Sequence, residues 1–294
     1  MIGAWWAALA AADPAAADDA PATTGPAQPP LGAIPPAVIE AAIGVEGRPL
    51  PERMGVVSAQ LLHRPYVSDP MGEGTGPDAD PLARYDAFDC QTFAEEVMAL
   101  AMAGDPAHAS PLRDALRYEP GPRDYVHRRH FMELQWIPGN IASGLLRDTT
   151  REYGATVALD KDVTAATWRG WSARKKFAHT DEQLPVGHMH LDVLPLDEAK
   201  RVAANIRPGS IILTVRVDRP GVPLWITHVS LLVPGEQGGT TLRHATLIGN
   251  TDETRDHELG WYLDHLRTYS NWPVLGIAVL EPIEQGPRRS AVTR

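Results

Sequence analysis

The sequence predicts an α+β fold in which helices from the first half of the chain pack on an antiparallel sheet from the second half. Apolar residues recur at helical spacing in three segments before Gly104, whereas four short runs rich in β-branched residues follow from Ser210 onward. Because helices and strands segregate along the chain instead of alternating, parallel βαβ units are not expected. The 294 residues have a hydrophobic fraction of 44%, which suffices for a sizeable core.

The first 36 residues are expected to lie outside the folded domain. The apolar run MIGAWWAALAAA is too short to span a bilayer, and the stretch that follows is rich in Ala, Pro and Asp. The run is typical of a secretory signal peptide but lacks a positively charged leader, so an alanine-rich chain end is the alternative. We therefore expect an exported protein of the periplasm or cell envelope without a transmembrane segment. It would have a disordered tether over 1–36, one catalytic domain over 37–285 and a flexible tail over 286–294.

Two helices are predicted near the start of this domain. VIEAAIGV begins at about Ala37, and MGVVSAQLLHRPY follows as a second helix that Pro65 ends. A loop rich in Gly, Asp and Pro then runs over residues 67–81. Its length makes this loop a candidate rim for a cleft.

The third predicted helix, DCQTFAEEVMALAMAG, places Cys90 in its first turn. Asp86 or Asp89 can cap this helix, because a short carboxylate accepts hydrogen bonds from the first free backbone N–H groups. Gly104 is expected to end it. The residues predicted to face the core are Phe93, Val97, Leu100 and Ala101.

The second half of the chain predicts an antiparallel meander. The turn sequences RPGVP and PGEQGG separate the first three strands. The predicted strands are SIILTVRV (210–217), WITHVSLLV (225–233), TTLRHATLI (240–248) and VLGIAVLEP (274–282).

Cys90 is the only cysteine, which excludes an internal disulfide. A lone cysteine is by default a small buried hydrophobe. A cysteine attacks as its thiolate, however, and with a reference pKa of about 8.5 it needs assistance at neutral pH. The positive end of a helix and a nearby imidazole provide that assistance. Cys90 is therefore a candidate nucleophile, provided that a histidine lies close to it.

His228 is the candidate base, since it is an imidazole in an otherwise apolar strand face. Its alternative role is that of a hydrogen-bonded structural histidine. If the residues of the second and third strands pair so that their numbers sum to 472, His228 lies opposite His244 on the same face. His244 would then orient His228 as the third group of a Cys-His-polar triad. His228 would deprotonate Cys90, and N–H groups at the helix start would stabilise the oxyanion.

Two further histidine-containing segments are candidate sites. His188 and His190 stand at i and i+2 and could hold a metal, but no third ligand is evident nearby, so no metal site is predicted. HRRHFMELQW (127–136) can line a ligand groove or form an amphipathic surface segment. Its candidate substrate contacts are Arg129, His130 and Trp136.

Charge and composition exclude other classes of function. The formal net charge of −10 argues against a sequence-independent nucleic-acid binder, and the richest basic cluster, RGWSARKK, is short. No glycine-rich phosphate loop follows a strand, so no cofactor is expected. The oligomeric state is not indicated by the sequence.

Taken in order, these motifs resemble those of the N-acetylmuramoyl-L-alanine amidase-like family, which is allied to the NlpC-type papain-like cell-wall peptidases of bacteria. The resemblance implies a papain-like α+β fold, secretion and hydrolysis of an amide bond in peptidoglycan or a related peptide. The matching segments are PYVSDPMGEG (65–74), FDCQTFAEEVMALA (88–101), RHFMELQWIPGNI (129–141), RPGSIILTV (207–215), THVSLLV (227–233) and LRHAT (242–246).

The resemblance also implies roles for individual residues. Cys90 matches the nucleophile, His228 the base and His244 the third polar position, while Tyr85 falls near a substrate-recognising tyrosine. The chain departs from the NlpC-type pattern after the cysteine, where Gln and Thr replace the common Ser-Gly. An exported peptidoglycan amidase or endopeptidase is therefore expected. The alternatives are an acyl transferase, and a non-catalytic binding module in which Cys90 is buried and inert.

Overall fold

The computed structural model of the protein describes residues 33–103, 106–235, 238–249 and 251–284. The predicted tether up to residue 32, the helix stop at Gly104 and the tail over 286–294 lie outside the described residues, and the predicted domain limits stay predictions. Within the described ranges, no helix combines the length and the apolar character needed to cross a membrane.

The helices lie mainly in the first half of the chain. The α-helices are α1 (Pro36–Gly44), α2 (Leu50–Ala59), α3 (Cys90–Ala103), α4 (Ala109–Arg117), α5 (Ile137–Ala142), α6 (Thr150–Tyr153), α7 (Ala165–Gly170), α8 (Leu196–Val202) and α9 (Leu259–Leu266). A π-helical turn spans Met132–Trp136, and 3-10 turns span Pro106–His108, Ser172–Lys176, Asp181–Gln183 and Ala203–Asn205.

The strands form one antiparallel sheet. They are β1 (Leu146–Asp148), β2 (Val157–Val163), β3 (Gly187–Pro195), β4 (Ile211–Arg216), β5 (Ile226–Pro234), β6 (Thr240–Thr246), β7 (Glu253–His257) and β8 (Val274–Pro282). Their order across the sheet is β2-β3-β8-β4-β5-β6-β7, and β1 pairs with β8. The predicted α+β class with helices on an antiparallel sheet is therefore confirmed.

The structure also corrects the predicted elements. The second helix starts at Leu50 and ends at Ala59, well before Pro65. The strand that begins at Val274 does not extend the meander, because it pairs with β4 and β3 instead of following β6. At Gly276 the β3 backbone comes so close that an added Cβ would lie 1.9 Å from the carbonyl oxygen of Leu194, so only glycine fits there.

Helices cover both faces of the sheet. Along β5, Val229, Leu231 and Val233 pack into the core layer that includes α1 to α4. Leu232 points to the opposite layer, which includes α8 and α9. Side chains alternate between faces along a strand, so His228 shares the α9 side with Leu232.

The helix α3 is buried on all sides. The prediction of a single core-facing stripe is wrong in its extent, since every side chain from Cys90 to Met102 is buried. The polar side chains on this helix therefore need partners in the protein interior.

Candidate active site

Cys90 is the first residue of α3, and Asp89 caps the helix. The Asp89 carboxylate accepts a hydrogen bond from the backbone N–H of Thr92 at 2.7 Å and from its hydroxyl at 2.8 Å. Of the two predicted capping residues Asp89 is therefore confirmed, whereas Asp86 pairs with Arg84. The cap fixes the position of the cysteine at the positive end of the helix dipole.

The sulfur of Cys90 lies where β5 and β6 separate. In the described part of the chain, β5 and β6 pair from Leu231 with Arg243 to Pro234 with Thr240. This pairing does not reach Val229. The N–H groups of the odd-numbered residues of β5 point toward β6. Because β6 is not paired with Val229, the N–H of Val229 bonds to the Cys90 sulfur instead. The helix start thus occupies the place where the two strands would otherwise pair, one residue away from His228.

Cys90 is buried, with 1% of its surface exposed. Burial, and next the negative charge of Asp89, raise the pKa of the Cys90 thiol, against the lowering effect of the backbone N–H groups of Val229, Cys90 and Gln91. The resting side chain is therefore a neutral thiol, which would need a base to act as a nucleophile.

His228 and His244 form a direct hydrogen bond. His228 Nε2 lies 2.7 Å from His244 Nδ1, with the ring centroids 4.8 Å apart. The predicted register is wrong, because paired residues of β5 and β6, such as Leu231 and Arg243, have numbers that sum to 474. A shift of two residues keeps every side chain on its face, so the two rings still meet, diagonally instead of directly opposite.

The chain of rings continues beyond the predicted pair. His244 Nε2 lies 2.9 Å from Nδ1 of His257 on β7, and Ser230 Oγ lies 3.1 Å from His244 Nδ1. Sequence reasoning missed His257 because ETRDH has no apolar alternation and β7 was not predicted. Three neighbouring strands thus contribute one histidine each to a hydrogen-bonded row.

These histidines are held in their neutral form. Burial lowers the pKa of His228 to about 3, helped by the positive charges of Arg216 and of protonated His257. Burial also lowers the pKa of His244 well below its usual value, and that of His257 to a smaller extent. At neutral pH, His228 is therefore an unprotonated imidazole and is able to accept a proton.

A tyrosine other than Tyr85 lies near the cysteine, since Tyr66 forms a β-bridge with Phe88, two residues before Cys90. Tyr85 is 4% exposed, and its hydroxyl donates to Glu96 at 2.9 Å and accepts from Arg113 at 2.9 Å, inside the protein. Tyr66 is only partly buried, and its pKa is raised by burial first and then by the charges of Cys90 and Asp89. The structure thus places Tyr85 in the interior and Tyr66 near Cys90.

The segment over residues 127–136 holds both the helix that begins at Cys90 and the strand that carries His228, and it is not an amphipathic surface segment. The Glu133 carboxylate accepts the backbone N–H groups of Trp225 and Ile226 at 2.6 and 2.7 Å, at the start of β5. The Trp136 indole is fully buried and donates to Glu95 of α3 at 2.9 Å. Trp136 thus contacts the helix that begins at Cys90, and Glu133 fixes the strand that carries His228.

Arg129 and His130 line a cavity of about 30 Å³ beside the start of α3. Asp89 and Gln91, which flank the cysteine, line the same cavity. The Arg129 guanidinium donates to backbone carbonyls of α4 and packs on Gly139, where an added Cβ would lie 2.6 Å from its Nε. The predicted substrate contacts of both residues stay predictions.

His188 and His190 lie away from this row, on the β3 strand of the β2-β3 hairpin. His188 bonds to Asp162 at 2.9 Å, and His190 bonds to Asp160 at 2.8 Å. These aspartates raise the pKa of both exposed histidines. In the described part of the chain, no group of three or more His, Cys, Asp or Glu side chains is arranged to hold a metal ion.

Comparisons with known proteins agree with this architecture. The model of the family described as N-acetylmuramoyl-L-alanine amidase-like matches residues 56–269. No curated protein matches the chain.

Solved structures show the same fold at low sequence identity. A Legionella pneumophila protein assigned to the family DUF1460 is similar with a TM-score of 0.71 and 20% identity, over 84% of this chain and 93% of that one. An N-acetylmuramoyl-L-alanine amidase from Bacteroides uniformis has a TM-score of 0.61 and 19% identity, over 79% and 98% of the two chains. A Bacteroides fragilis protein named as a xylanase has a TM-score of 0.57 and 20% identity, over 76% and 98%. At these identities the likeness shows the fold alone.

Proposed function

The chain belongs to the N-acetylmuramoyl-L-alanine amidase-like family, and on that premise we propose that it is a cysteine hydrolase that cleaves an amide bond of peptidoglycan. The family description and the name of the Bacteroides uniformis protein favour the bond between the lactyl group of N-acetylmuramic acid and L-alanine. The observation that carries the cysteine mechanism is the bond of 2.7 Å between His228 and His244 on the strands that flank the Cys90 sulfur.

The proposed reaction begins with a neutral thiol and a neutral imidazole. His228 uses Nε2 for its bond to His244, which leaves Nδ1 to take the proton of Cys90 as the sulfur attacks the carbonyl carbon. The tetrahedral oxyanion accepts hydrogen bonds from backbone N–H groups at the start of α3. The imidazolium then protonates the leaving amine, and the amide C–N bond breaks to leave a thioester on Cys90.

Water resolves the thioester in the second half of the reaction. His228, neutral again, takes a proton from the attacking water, and the oxygen forms the new bond to the carbonyl carbon. The C–S bond then breaks, the sulfur regains the proton from His228, and a free carboxylate leaves. His244 holds the ring plane of His228 through both steps.

The substrate is proposed to approach along the rim formed by residues 67–81 and the start of α3. Tyr66 is better placed than Tyr85 to contact it, since Tyr66 lies beside the nucleophile and keeps some exposure. The cavity lined by Arg129 and His130 adjoins the same helix start. Tyr85 and Trp136 would act indirectly, by holding the glutamates of α3.

We also propose a papain-like fold of the NlpC type and a location in the cell envelope. A cysteine at a helix start that faces histidines on an antiparallel sheet is the arrangement expected of a papain-like, NlpC-type peptidase. A peptidoglycan substrate also favours action in the cell envelope after export.

Digestion of purified muropeptides, followed by mass spectrometry, tests the proposed reaction. The wild-type protein should release a stem peptide with a free N-terminal L-alanine, and the Cys90→Ala variant should release none. Addition of a primary amine identifies the acyl transferase alternative, because transfer would yield a muramoyl amide in place of the free acid. If wild type and Cys90→Ala both leave the muropeptides intact while wild type still binds them, the protein is a binding module.

A further inference from the structure

The row of histidines extends from the proposed base toward the protein surface. His228 Nε2 contacts His244 Nδ1, and His244 Nε2 contacts His257 Nδ1, at 2.7 and 2.9 Å. His257 is partly exposed, whereas His244 is fully buried. Each contact needs one N–H and one lone pair, because two N–H groups cannot face each other at these distances.

This requirement couples the tautomers of the three rings. If His257 Nδ1 accepts, His244 carries its proton on Nε2, and its Nδ1 accepts the Nε2 proton of His228. The Nδ1 of His228 is then free to act as a base. If His257 Nδ1 donates, every bond reverses and the proton of His228 moves to Nδ1, so that no lone pair faces the thiol.

Protonation of His257 forces the second arrangement, since an imidazolium can only donate. We propose that His257 is a positioning residue that sets the tautomer of His228, and that protonation of His257 reverses the row and removes the base. This role rests on the proposed function, in which His228 is the base. The enzyme would therefore lose activity in acid because His257, a ring that does not contact the substrate, becomes protonated.

The surroundings of His257 favour its neutral form at neutral pH. Burial lowers its pKa, the positive charges of Arg255 and His265 lower it further, and Asp256 raises it. Arg243 of β6 compensates Asp256 through a bidentate pair at 2.7 and 2.8 Å. The charged and titratable groups around the ring are thus Arg255 and Asp256 of β7, Arg243 and His244 of β6, and His265 of α9.

Trp261 supplies a matched control on the same surface. Its indole is 45% exposed and is stacked between His257, at 4.6 Å, and His265, at 5.3 Å. His265 therefore shares the stacking environment of His257 but contacts the Tyr269 hydroxyl at 3.5 Å instead of joining the row. A His265→Phe variant keeps a ring on Trp261 and leaves the row intact.

The pH profile of kcat/KM on a muropeptide tests the role of His257. In His257→Asn, the side-chain oxygen can accept where Nδ1 did but cannot be protonated. This variant should keep activity within about threefold at pH 7.5 and should lose the acid limb that wild type shows. His257→Phe removes the acceptor and should lower kcat/KM about tenfold at pH 7.5. His265→Phe should match wild type in rate at pH 7.5 and should keep the acid limb, displaced to somewhat higher pH because the charge of His265 no longer lowers the pKa of His257. A His257→Asn profile that superimposes on that of wild type would overturn the proposal.

Nitrogen NMR of 15N-histidine-labelled protein tests the coupling without a substrate. Wild type should show His228 with its proton on Nε2 near pH 7.5, and on Nδ1 once His257 is protonated. His257→Asn should keep the Nε2 tautomer over the same range. If the tautomer of His228 does not follow the titration of His257, the inference fails. If the tautomers follow but muropeptides stay uncut, the proposed function fails and the coupling stands.

Discussion

The two halves of the candidate site accommodate ionisable side chains in opposite ways. On α3, Glu95 and Glu96 are buried as charges and paired with Arg117 and Arg113 of α4. On the sheet, the buried His244 and the half-buried His228 and His257 are neutral rings that bond to one another. The helix side is therefore fixed by opposite charges, whereas the sheet side keeps protons that can move.

Because of this difference, substitutions on the helix side and on the sheet side should have different consequences. Removing one partner of a buried ion pair leaves the other charge without compensation, so the free energy of unfolding should fall steeply. Removing a neutral ring costs the hydrogen bonds of that ring but leaves no charge behind. Substitutions on the sheet side should therefore affect the reaction first, and substitutions on the helix side should affect stability first.

The largest expected effect is that of His228→Ala on activity. Loss of the proposed general base should lower kcat/KM on a muropeptide by about a thousandfold or more. The free energy of unfolding in urea should change by less than about 2 kcal/mol, because only neutral hydrogen bonds are lost. Activity within tenfold of wild type would remove His228 from the mechanism.

The second effect is that of Arg117→Met on stability. Arg117 contacts Glu95 at 2.8 Å and Glu96 at 3.4 Å, and all three side chains are buried. The variant should lose about 3–5 kcal/mol in urea unfolding. Arg201→Met is the control, since it removes an exposed ion pair with Glu198 and should cost less than about 1 kcal/mol. Equal losses in the two variants would contradict the contrast between helix and sheet.

A third prediction concerns Glu133, which holds the start of the strand that carries His228. Its pKa is raised by burial, although the backbone N–H groups of Ile226 and Trp225 favour the carboxylate. Glu133→Ala leaves both N–H groups without their acceptor and should cost about 2 kcal/mol or more in urea unfolding. Glu133→Gln keeps an acceptor oxygen and should stay within about 1 kcal/mol of wild type. A glutamine variant as unstable as the alanine variant would mean that the charge, not the acceptor, is needed.

The remaining prediction concerns the acid sensitivity of the sheet side, an effect that grows as the pH falls. A histidine whose pKa is lowered by folding stabilises the protein fully above its unfolded pKa, and this stabilisation falls as pH drops from there toward the folded pKa. Below about pH 6.5 the free energy of unfolding should therefore fall by about 1.4 kcal/mol per pH unit for each such ring. Between pH 6 and 4, His244→Asn should reduce the dependence of the free energy of unfolding on pH by about 1.4 kcal/mol per pH unit, which corresponds to one proton. An unchanged slope would mean that His244 does not stay neutral in the folded protein.

The sequence predicted the α+β class, the capped cysteine helix and the face shared by His228 and His244 from local patterns. Alternation along a strand fixes the face of a side chain but not the register, so a shift of two residues left the contact intact. His257 was not predictable, because β7 is polar and is stabilised by pairing with β6. The burial of Glu95 and Glu96 could not be predicted from their own helix either, since their arginine partners are supplied by the next α-helix.

The most direct test of the central claim is a time course of intact protein mass after acid quenching during muropeptide turnover. If Cys90 attacks the lactyl carbonyl, wild type should carry a transient thioester adduct with the mass of the muramoyl sugar and without the stem peptide. His228→Ala should form this adduct far more slowly, and Cys90→Ala should form none and release no peptide. Turnover that persists in Cys90→Ala, or an adduct that forms on another residue, would contradict the account.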